Sequence, residues 1–177
     1  MENSTGDDRL YRVWSFWYLI PDRSLNRNAS WREFLHEMGE ISKIDQLWAT
    51  LNSVEQPSKL PKGCRYYIFK RGVAPLWEDS KNLHGYEISI EHPILKAKRQ
   101  KISDRFIDVV LSVLGETFSH SESINGLEFT VRAGTYKIAI WTKAIPDEER
   151  EVIANELLKI VNWKSQVKIE TITVSTS

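Results

Sequence analysis

The segment LEFTVRAGTYKIAIWT, residues 127–142, constrains the fold more than any other stretch of the chain. On both sides of Gly134, apolar residues recur with a period of two, which is the spacing of side chains on one face of a β-strand. A glycine between two such runs predicts a tight hairpin. The alternation places Arg132, Lys137 and Trp141 on one face of the hairpin and a continuous apolar set on the other, so the two faces must meet different surroundings.

The remaining pattern predicts an α+β fold in a single domain. Runs rich in β-branched and aromatic residues predict further strands at residues 11–20, 65–70, 86–90 and 167–174. Apolar residues at helical spacing predict helices at 42–54, 103–118 and 145–161, with Ser42 and Ser103 as N-caps of the first two and Gly115 near the end of the second. Because hairpins mix with isolated helices, we expect a mostly antiparallel sheet.

Charge and cysteine content narrow the class of function. The chain has 24 basic and 24 acidic residues, without the basic excess of proteins that coat nucleic acid, so nucleic acid would have to bind through a small pocket. A single cysteine, Cys64, favours a reducing compartment, which would be the cytoplasm and also the nucleus. We expect residues 1–9 to be disordered, residues 10–177 to form one domain, and no segment to span a membrane.

The sequence indicates neither catalysis nor a cofactor. The four histidines do not have the spacing of metal ligands. No Ser/His/Asp, Cys/His or paired-carboxylate arrangement stands out. We therefore expect a binding protein that works without a metal or cofactor, and not an enzyme.

The loop-like segment GVAPLWEDSKN, residues 72–82, is the first candidate for a binding site. Turn-forming residues are followed by an indole, Trp77, and then by two carboxylates, Glu78 and Asp79. On its residues alone, Trp77 is equally compatible with packing and with stacking on a ligand. Asp79 is more consistent with a structural role, in which it would bond the loop backbone.

These segments resemble the eukaryotic initiation factor 4E family, which comprises messenger-RNA cap-binding proteins. The resemblance covers residues 10–174 and is carried by WSFWYL, IDQLWATLN, GCRYYIFKRGVAPLWEDSKN, DRFIDVVLSVLGE and VRAGTYKIAIWT. The family implies a curved, mostly antiparallel sheet with helices packed on its convex face and a ligand slot on the concave side. Some positions depart from the family pattern, as in the segment Asp8-Arg9-Leu10, which identifies the chain as a divergent member.

The resemblance also implies roles for individual residues. Trp31 and Trp77 match the two indoles that sandwich the 7-methylguanine ring of the cap. Glu78 matches the acid that accepts hydrogen bonds from the edge of this base. Trp141 matches the aromatic residue that contacts the methyl group.

The phosphates of the cap would meet the basic residues of the hairpin. Arg132 and Lys137 match the family's phosphate-binding cations. Gly134 stands where the family has a lysine, and the chain ends short of a loop that often contributes another. The resemblance therefore leads us to expect weaker phosphate binding, or phosphate binding that depends on other groups.

A second surface is implied on the helical side of the sheet. Its residues would bind a short helix of a scaffold protein or of a repressor, and they are Ile44, Trp48, Ile107, Asp108 and Leu111. The resemblance thus predicts a monomeric factor that binds capped messenger RNA and recruits a scaffold for translation initiation. A cap-binding repressor that does not recruit this scaffold is the alternative, motivated by the altered segment at Asp8 and the missing lysine. An enzyme acting on capped nucleotides would need clustered metal-binding acids, which the sequence does not contain.

Overall fold

A computed structural model describes residues 7–21 and 30–173 of the protein. The predictions that concern residues 1–6 and 174–177, which are the disordered N-terminus and the end of the last strand, lie outside the described residues. The first strand begins at Arg9, which is the last residue of the segment predicted to be disordered.

The described residues form seven strands and three α-helices. The strands are β1 (Arg9–Leu19), β2 (Leu35–Lys43), β3 (Arg65–Lys70), β4 (Tyr86–Pro93), β5 (Ile124–Val131), β6 (Thr135–Thr142) and β7 (Val167–Thr171). The helices are α1 (Ile44–Ser53), α2 (Arg99–Leu114) and α3 (Asp147–Val161). None of these helices is long and apolar enough to cross a bilayer.

All seven strands belong to one antiparallel sheet, in the order β2-β1-β3-β5-β6-β4-β7. The predicted hairpin is confirmed as β5 and β6, with Thr130 opposite Lys137. Helices α2 and α3 pack on one face of the sheet. The predicted α+β fold, a single curved sheet with its helices on one side, is therefore confirmed.

The main core lies between this face and the helices. Phe129 of β5 is opposite Tyr66 of β3 and Ile138 of β6, so these side chains point to the same side. The ring of Phe106 on α2 meets Phe129 at a centroid distance of 5.4 Å. Each fully buried side chain of this size contributes about 1.5–3 kcal/mol relative to exposure, which is what holds the helices on the sheet.

Two predicted helix starts are wrong. Helix α2 begins at Arg99 and not at Ser103, which lies inside the helix, is buried and donates a hydrogen bond to the Ser58 hydroxyl at 3.0 Å. The N-cap position of α1 is Lys43, while the Ser42 side chain bonds Gln46. In both cases a serine that resembled a cap in sequence has a side-chain partner instead.

Strand β2 has no counterpart among the sequence predictions. Its sequence, LHEMGEISK, lacks alternation because it is an edge strand whose side chains from His36 to Glu40 are exposed. Little burial leaves little hydrophobic pattern to detect.

We expect Gly126→Ala to destabilise the fold by at least about 1–3 kcal/mol, because a new Cβ would overpack the centre of the sheet. Gly126 pairs with Phe69 on one side and Trp141 on the other. A Cβ there would lie 2.3 Å from Phe69 Cδ2 and 2.7 Å from the Ile68 carbonyl oxygen. Urea denaturation of the purified variant measures the effect.

The matched control is Gly39→Ala in edge strand β2, where a new Cβ would have no heavy atom within 4 Å. We expect it to change the free energy of unfolding by no more than about 0.5 kcal/mol. Equal stabilities of the two variants would contradict this account of the sheet centre.

Candidate functional site

The sheet face away from the helices carries a cavity of about 520 Å³. Five strands and four of the segments that connect elements contribute to it, and its lining consists of Leu19, Pro21, Trp31, Gly63, Arg65, Tyr67, Pro75, Trp77, Glu87, Arg132, Lys137, Trp141 and Glu170. Most of the residues predicted to bind a ligand, namely Trp31, Trp77, Trp141, Arg132 and Lys137, thus line one cavity. Glu78 follows Trp77 directly but is not among the lining residues.

The floor of the cavity is an aromatic cluster on the sheet. Trp141 is 2% exposed and meets Phe69 edge to face at a centroid distance of 5.3 Å. Tyr67 lies edge-on to the same indole at 6.5 Å. The indole Nε1 of Trp141 donates a hydrogen bond to Glu128 Oε2 at 3.0 Å, so packing and a buried hydrogen bond both fix its orientation.

The loop that carries Trp77 is held by its own polar side chains. Gly72 starts the loop with φ of +80°, a left-handed conformation that favours glycine. Asp79 accepts hydrogen bonds from the backbone N–H groups of Ala74 and Lys81, both at 2.9 Å. The structural role predicted for Asp79 is confirmed.

Asn82 anchors the same loop to the protein interior. No role was predicted for this residue from the sequence. Its side-chain amide is fully buried and donates to the carbonyls of Ala74 at 2.8 Å and Leu76 at 2.9 Å. Its Oδ1 accepts a hydrogen bond from Asn125 at 3.0 Å. The signal that could have identified it is an amide residue directly after a turn-rich loop, where backbone groups need partners.

Trp31 is presented by a short 3-10 turn, Trp31–Phe34. A capping box starts this turn: the Ser30 hydroxyl accepts a hydrogen bond from the backbone N–H of Arg32, and the Glu33 carboxylate accepts one from the backbone N–H of Ser30. Trp31 is 43% exposed and Trp77 is 50% exposed, although both are large apolar side chains. Two indoles from separate loops therefore leave ring surface open at the same cavity.

Glu78 forms an ion pair with Arg32, the residue that follows Trp31. Both side chains remain more than 40% exposed, so the pair contributes at most about 1 kcal/mol to stability. The contact nevertheless links the loop of Trp77 to the turn of Trp31. Sequence reasoning did not identify Arg32, because only the fold brings these two segments together.

Lys137 has a different environment from the one its predicted role implies. The residue is 3% exposed, and its Nζ donates to Glu87 Oε1 at 2.5 Å and lies 3.4 Å from Glu128 Oε1. Two buried carboxylates, on the two strands that flank β6, thus share one ammonium group.

The pKa values of the two carboxylates shift in opposite directions. Burial raises the pKa of Glu87, the neighbouring carboxylate of Glu128 raises it further, and Lys137 offsets only part of this effect. Burial by itself would raise the pKa of Glu128 as well. The charges of Lys137 and Arg65, together with hydrogen bonds from Thr130 and Trp141, outweigh the effect of burial and lower this pKa below its ordinary value. The charged form is therefore favoured more strongly at Glu128 than at Glu87.

The other two cations of the lining also contact acids. Arg65 Nη1 lies 3.7 Å from Glu128 Oε1. Arg132, half exposed at the cavity rim, donates to Glu91 Oε1 at 2.8 Å. The arginines line the cavity, but each already has a carboxylate as a neighbour.

The predicted partner surface lies on α1 and α2. Ile44 and Trp48 are one helical turn apart on α1, and Ile107 and Leu111 are one turn apart on α2. Ile44, Trp48 and Leu111 are 47%, 39% and 42% exposed, and Ile107 is partly buried. Asp108 is half exposed and accepts a hydrogen bond from Arg105 at 2.8 Å.

The described ranges contain no cluster of three or more His, Cys, Asp or Glu side chains that could hold a metal ion. The lining of the cavity presents aromatic rings, carboxylates and cations. The fold and the cavity define a single-sheet α+β binding domain whose slot is walled by indoles.

The chain belongs to the eukaryotic initiation factor 4E family. The sequence pattern of this family, "Eukaryotic initiation factor 4E", matches residues 9–176. Eukaryotic translation initiation factor 4E1 of Drosophila melanogaster is 33% identical over 140 residues, which are 79% of this chain and 52% of that protein. The Candida albicans factor 4E is 27% identical over 158 residues, which are 89% of this chain and 75% of that protein.

Solved structures agree with this assignment. The Ascaris suum eIF4E-3 in complex with an m7G cap superposes with a TM-score of 0.85 at 26% identity, covering 96% of this chain and 93% of that chain. The C. elegans eIF4E-3, in complex with the 4E-binding protein Mextli and a cap analog, has a TM-score of 0.81 at 25% identity, covering 92% and 91%. The fold expected from the resemblance is therefore confirmed.

We expect Asn82→Asp to lower the free energy of unfolding by at least about 1–3 kcal/mol. The substitution keeps the size of the side chain but replaces the donor that serves two carbonyls with an acceptor, and it buries a charge. The exposed Asn52→Asp in α1 is the matched control, with an expected change of no more than about 0.5 kcal/mol. Urea denaturation at pH 7 compares them, and equal effects would show that Asn82 does not anchor the loop.

Proposed function

We propose that the protein binds the 7-methylguanosine cap of messenger RNA in the cavity between Trp31 and Trp77. The observation that carries this proposal is that the two indoles come from separate loops, line the same cavity and keep about half of their surface exposed. A flat aromatic ligand could cover both rings. Membership of the initiation factor 4E family and the likeness to the Ascaris suum protein with its m7G cap support the choice of ligand.

The stacking energy would favour the methylated base. Methylation at N7 gives guanine a delocalised positive charge, and a cation over the face of tryptophan gains about 0.5–2 kcal/mol from the ring quadrupole. Stacking of a base on one aromatic side chain contributes about 1–3 kcal/mol. Unmethylated guanine would retain the stacking and lose the cationic share, so the indole pair can distinguish the two.

Glu78 would read the edge of the base. Its carboxylate can accept hydrogen bonds from the N1 and N2 groups of guanine, and such charge-assisted bonds contribute roughly 1.5–3 kcal/mol. A carboxylate has about four lone-pair positions, so the contact with Arg32 does not exhaust its capacity. Its negative charge also complements the cationic base.

Trp141 would complete the slot from its floor. Its position is fixed by Phe69 and by the hydrogen bond to Glu128, so it offers a rigid surface to the methyl group. In this arrangement the sheet supplies a fixed floor and the loops supply the walls.

We expect 7-methyl-GTP to quench the tryptophan fluorescence of the protein at much lower concentration than GTP does. We expect Trp77→Ala to weaken 7-methyl-GTP binding about 5- to 150-fold, because one of the two stacks is lost. Fluorescence titration, repeated by calorimetry because the variant removes a fluorophore, measures both effects.

Trp48→Ala is the matched control, because it removes another exposed indole, on α1 and outside the cavity. It should bind 7-methyl-GTP with the affinity of the parent protein. Equal affinity for GTP and 7-methyl-GTP in the parent, or parental affinity in Trp77→Ala, would reject the proposed stacking.

We further propose that the exposed apolar residues of α1 and α2 bind a short helix of a partner protein, and that the protein thereby acts in translation initiation. Ile44, Trp48 and Leu111 expose apolar surface that the fold itself does not use. A helix with apolar residues at i, i+3 or i+4 spacing could cover such a surface. The C. elegans relative in complex with Mextli supports a protein partner.

We expect Trp48→Ala to reduce binding of the protein to purified Mextli at least tenfold, because large aromatic side chains dominate interface energies with about 2 kcal/mol or more each. Trp77→Ala is the control and should bind Mextli as the parent does. Parental binding by Trp48→Ala would place the partner surface elsewhere.

A translation extract depleted of its own cap-binding factor separates initiation from repression. Added protein should restore translation of a capped reporter if it recruits the initiation scaffold. Persistent inhibition together with cap binding would identify a repressor.

A further inference from the structure

We propose that Glu87 and Glu128 are specificity-determining residues, which make this slot recognise the methylated base with little contribution from the number of phosphates attached to it. The inference rests on the proposed cap binding and specifies the ligand class further. It follows because each cation of the cavity lining already forms an ion pair with an acidic side chain.

Lys137 is the cation of the lining that lies deepest. Its Nζ is 2.5 Å from Glu87 and 3.4 Å from Glu128, and the side chain is 4% exposed. For a phosphate to bind this ammonium group, it would have to compete with two carboxylates that are already in contact. Separating Lys137 from them would leave buried charges without a partner, which costs several kcal/mol.

The strand register explains why the acids meet this lysine. Lys137 on β6 has Thr130 and Glu91 as direct cross-strand neighbours. Glu128 on β5 pairs with Ala139 and is diagonal to the lysine, while Glu87 on β4 pairs with Trp141, four residues along β6 on the same face. The long lysine and glutamate side chains span these offsets, so the sheet itself builds the cluster.

The two arginines of the lining are also paired with acids. Arg65 lies beside Glu128 and Arg132 is hydrogen-bonded to Glu91. In the part of the chain that the structure describes, every cation of the lining therefore contacts a carboxylate. Glu170 adds a further acid to the lining and lies close enough to Glu87 to raise its pKa.

Among the described residues, four cations and four carboxylates surround the cavity. The cations are Arg65, Arg132, Lys137 and Lys168, which lies 3.9 Å from Glu91, and the acids are Glu87, Glu91, Glu128 and Glu170. Such a wall has no positive excess with which to attract a triphosphate. Most of the binding free energy should then come from contacts with the base, and the affinity should change little with each added phosphate.

The experiment compares the affinities of the full chain for 7-methylguanosine, 7-methyl-GMP, 7-methyl-GDP and 7-methyl-GTP by calorimetry. We expect the dissociation constants of 7-methyl-GMP and 7-methyl-GTP to differ by less than about threefold, and to depend weakly on salt, because no net charge is neutralised. This measurement needs no variant.

Glu87→Gln tests the residue itself. Removing one acid frees Lys137 from its closest partner, and we expect the preference for 7-methyl-GTP over 7-methyl-GMP to rise to about tenfold. The double variant Glu87→Gln with Lys137→Gln restores the original balance of charge and should return the ratio to that of the parent. Glu148→Gln, an exposed acid of α3 outside the cavity, changes the net charge equally and should leave the ratio unchanged.

The outcomes distinguish this inference from the proposed function. A 7-methyl-GTP dissociation constant more than about threefold below that of 7-methyl-GMP would overturn the inference and leave cap binding in place. A folded Glu87→Gln variant with the parental ratio would overturn the role of Glu87. If 7-methylguanosine bound no better than guanosine, the proposed function would fail, and the inference with it.

Discussion

The buried carboxylate of Glu128 is the interaction on which the slot depends. It accepts the indole N–H of Trp141 at 3.0 Å, a hydrogen bond from Thr130, and the ion-pair contacts of Lys137 and Arg65. A charge without solvent is stable only when partners surround it, and here they come from strands β3, β5 and β6. The same residue therefore fixes the floor of the cavity and sets the charge of its wall.

The period of two along each strand lets a single sheet perform two tasks. On β5, Leu127, Phe129 and Val131 face the helices and build the core, while Glu128 and Thr130 face the slot. The core therefore positions the slot without sharing side chains with it. A shift of one residue in the register of β5 would exchange the two sets, burying acids against α2, so the core effectively fixes the register of the slot.

Much of the fold was predictable because buried apolar residues recur in the sequence with the period of the strand or helix that carries them. Strand β3 matches its predicted bounds at Arg65 and Lys70, and the hairpin of β5 and β6 was predicted correctly. Edge strand β2 was missed because it buries little, and the start of α2 was misplaced because Ser103 resembled a cap. Local patterns do not show what a residue meets after folding.

In the slot, too, local patterns predict individual residues but not the contacts that these residues make after folding. Trp31 and Trp77 were predicted as ligand-binding residues from the family resemblance, whereas the contacts of Arg32 with Glu78 and of Lys137 with Glu87 join residues about 50 positions apart. The contact between Glu128 and Lys137 could have been predicted from the sequence. Counting outward from Gly134 places these two residues on the same face of the hairpin, and their opposite charges would have indicated a contact.

The two walls of the slot are held in different ways, and this bears on how a ligand could enter. The Trp77 loop is anchored to the protein interior by Asp79 and by the buried amide of Asn82, so its displacement would break buried hydrogen bonds. The Trp31 turn is held by its own capping box and by the exposed pair of Arg32 with Glu78, both of which water can replace at little cost. Because the carboxylate that contacts Arg32 is also the one proposed to read the base, it would accept the base beside Arg32, at the contact that links the Trp31 turn to the Trp77 loop. The anchored Trp77 loop would then orient the ligand, and the less firmly held Trp31 turn would be the part that adjusts to it.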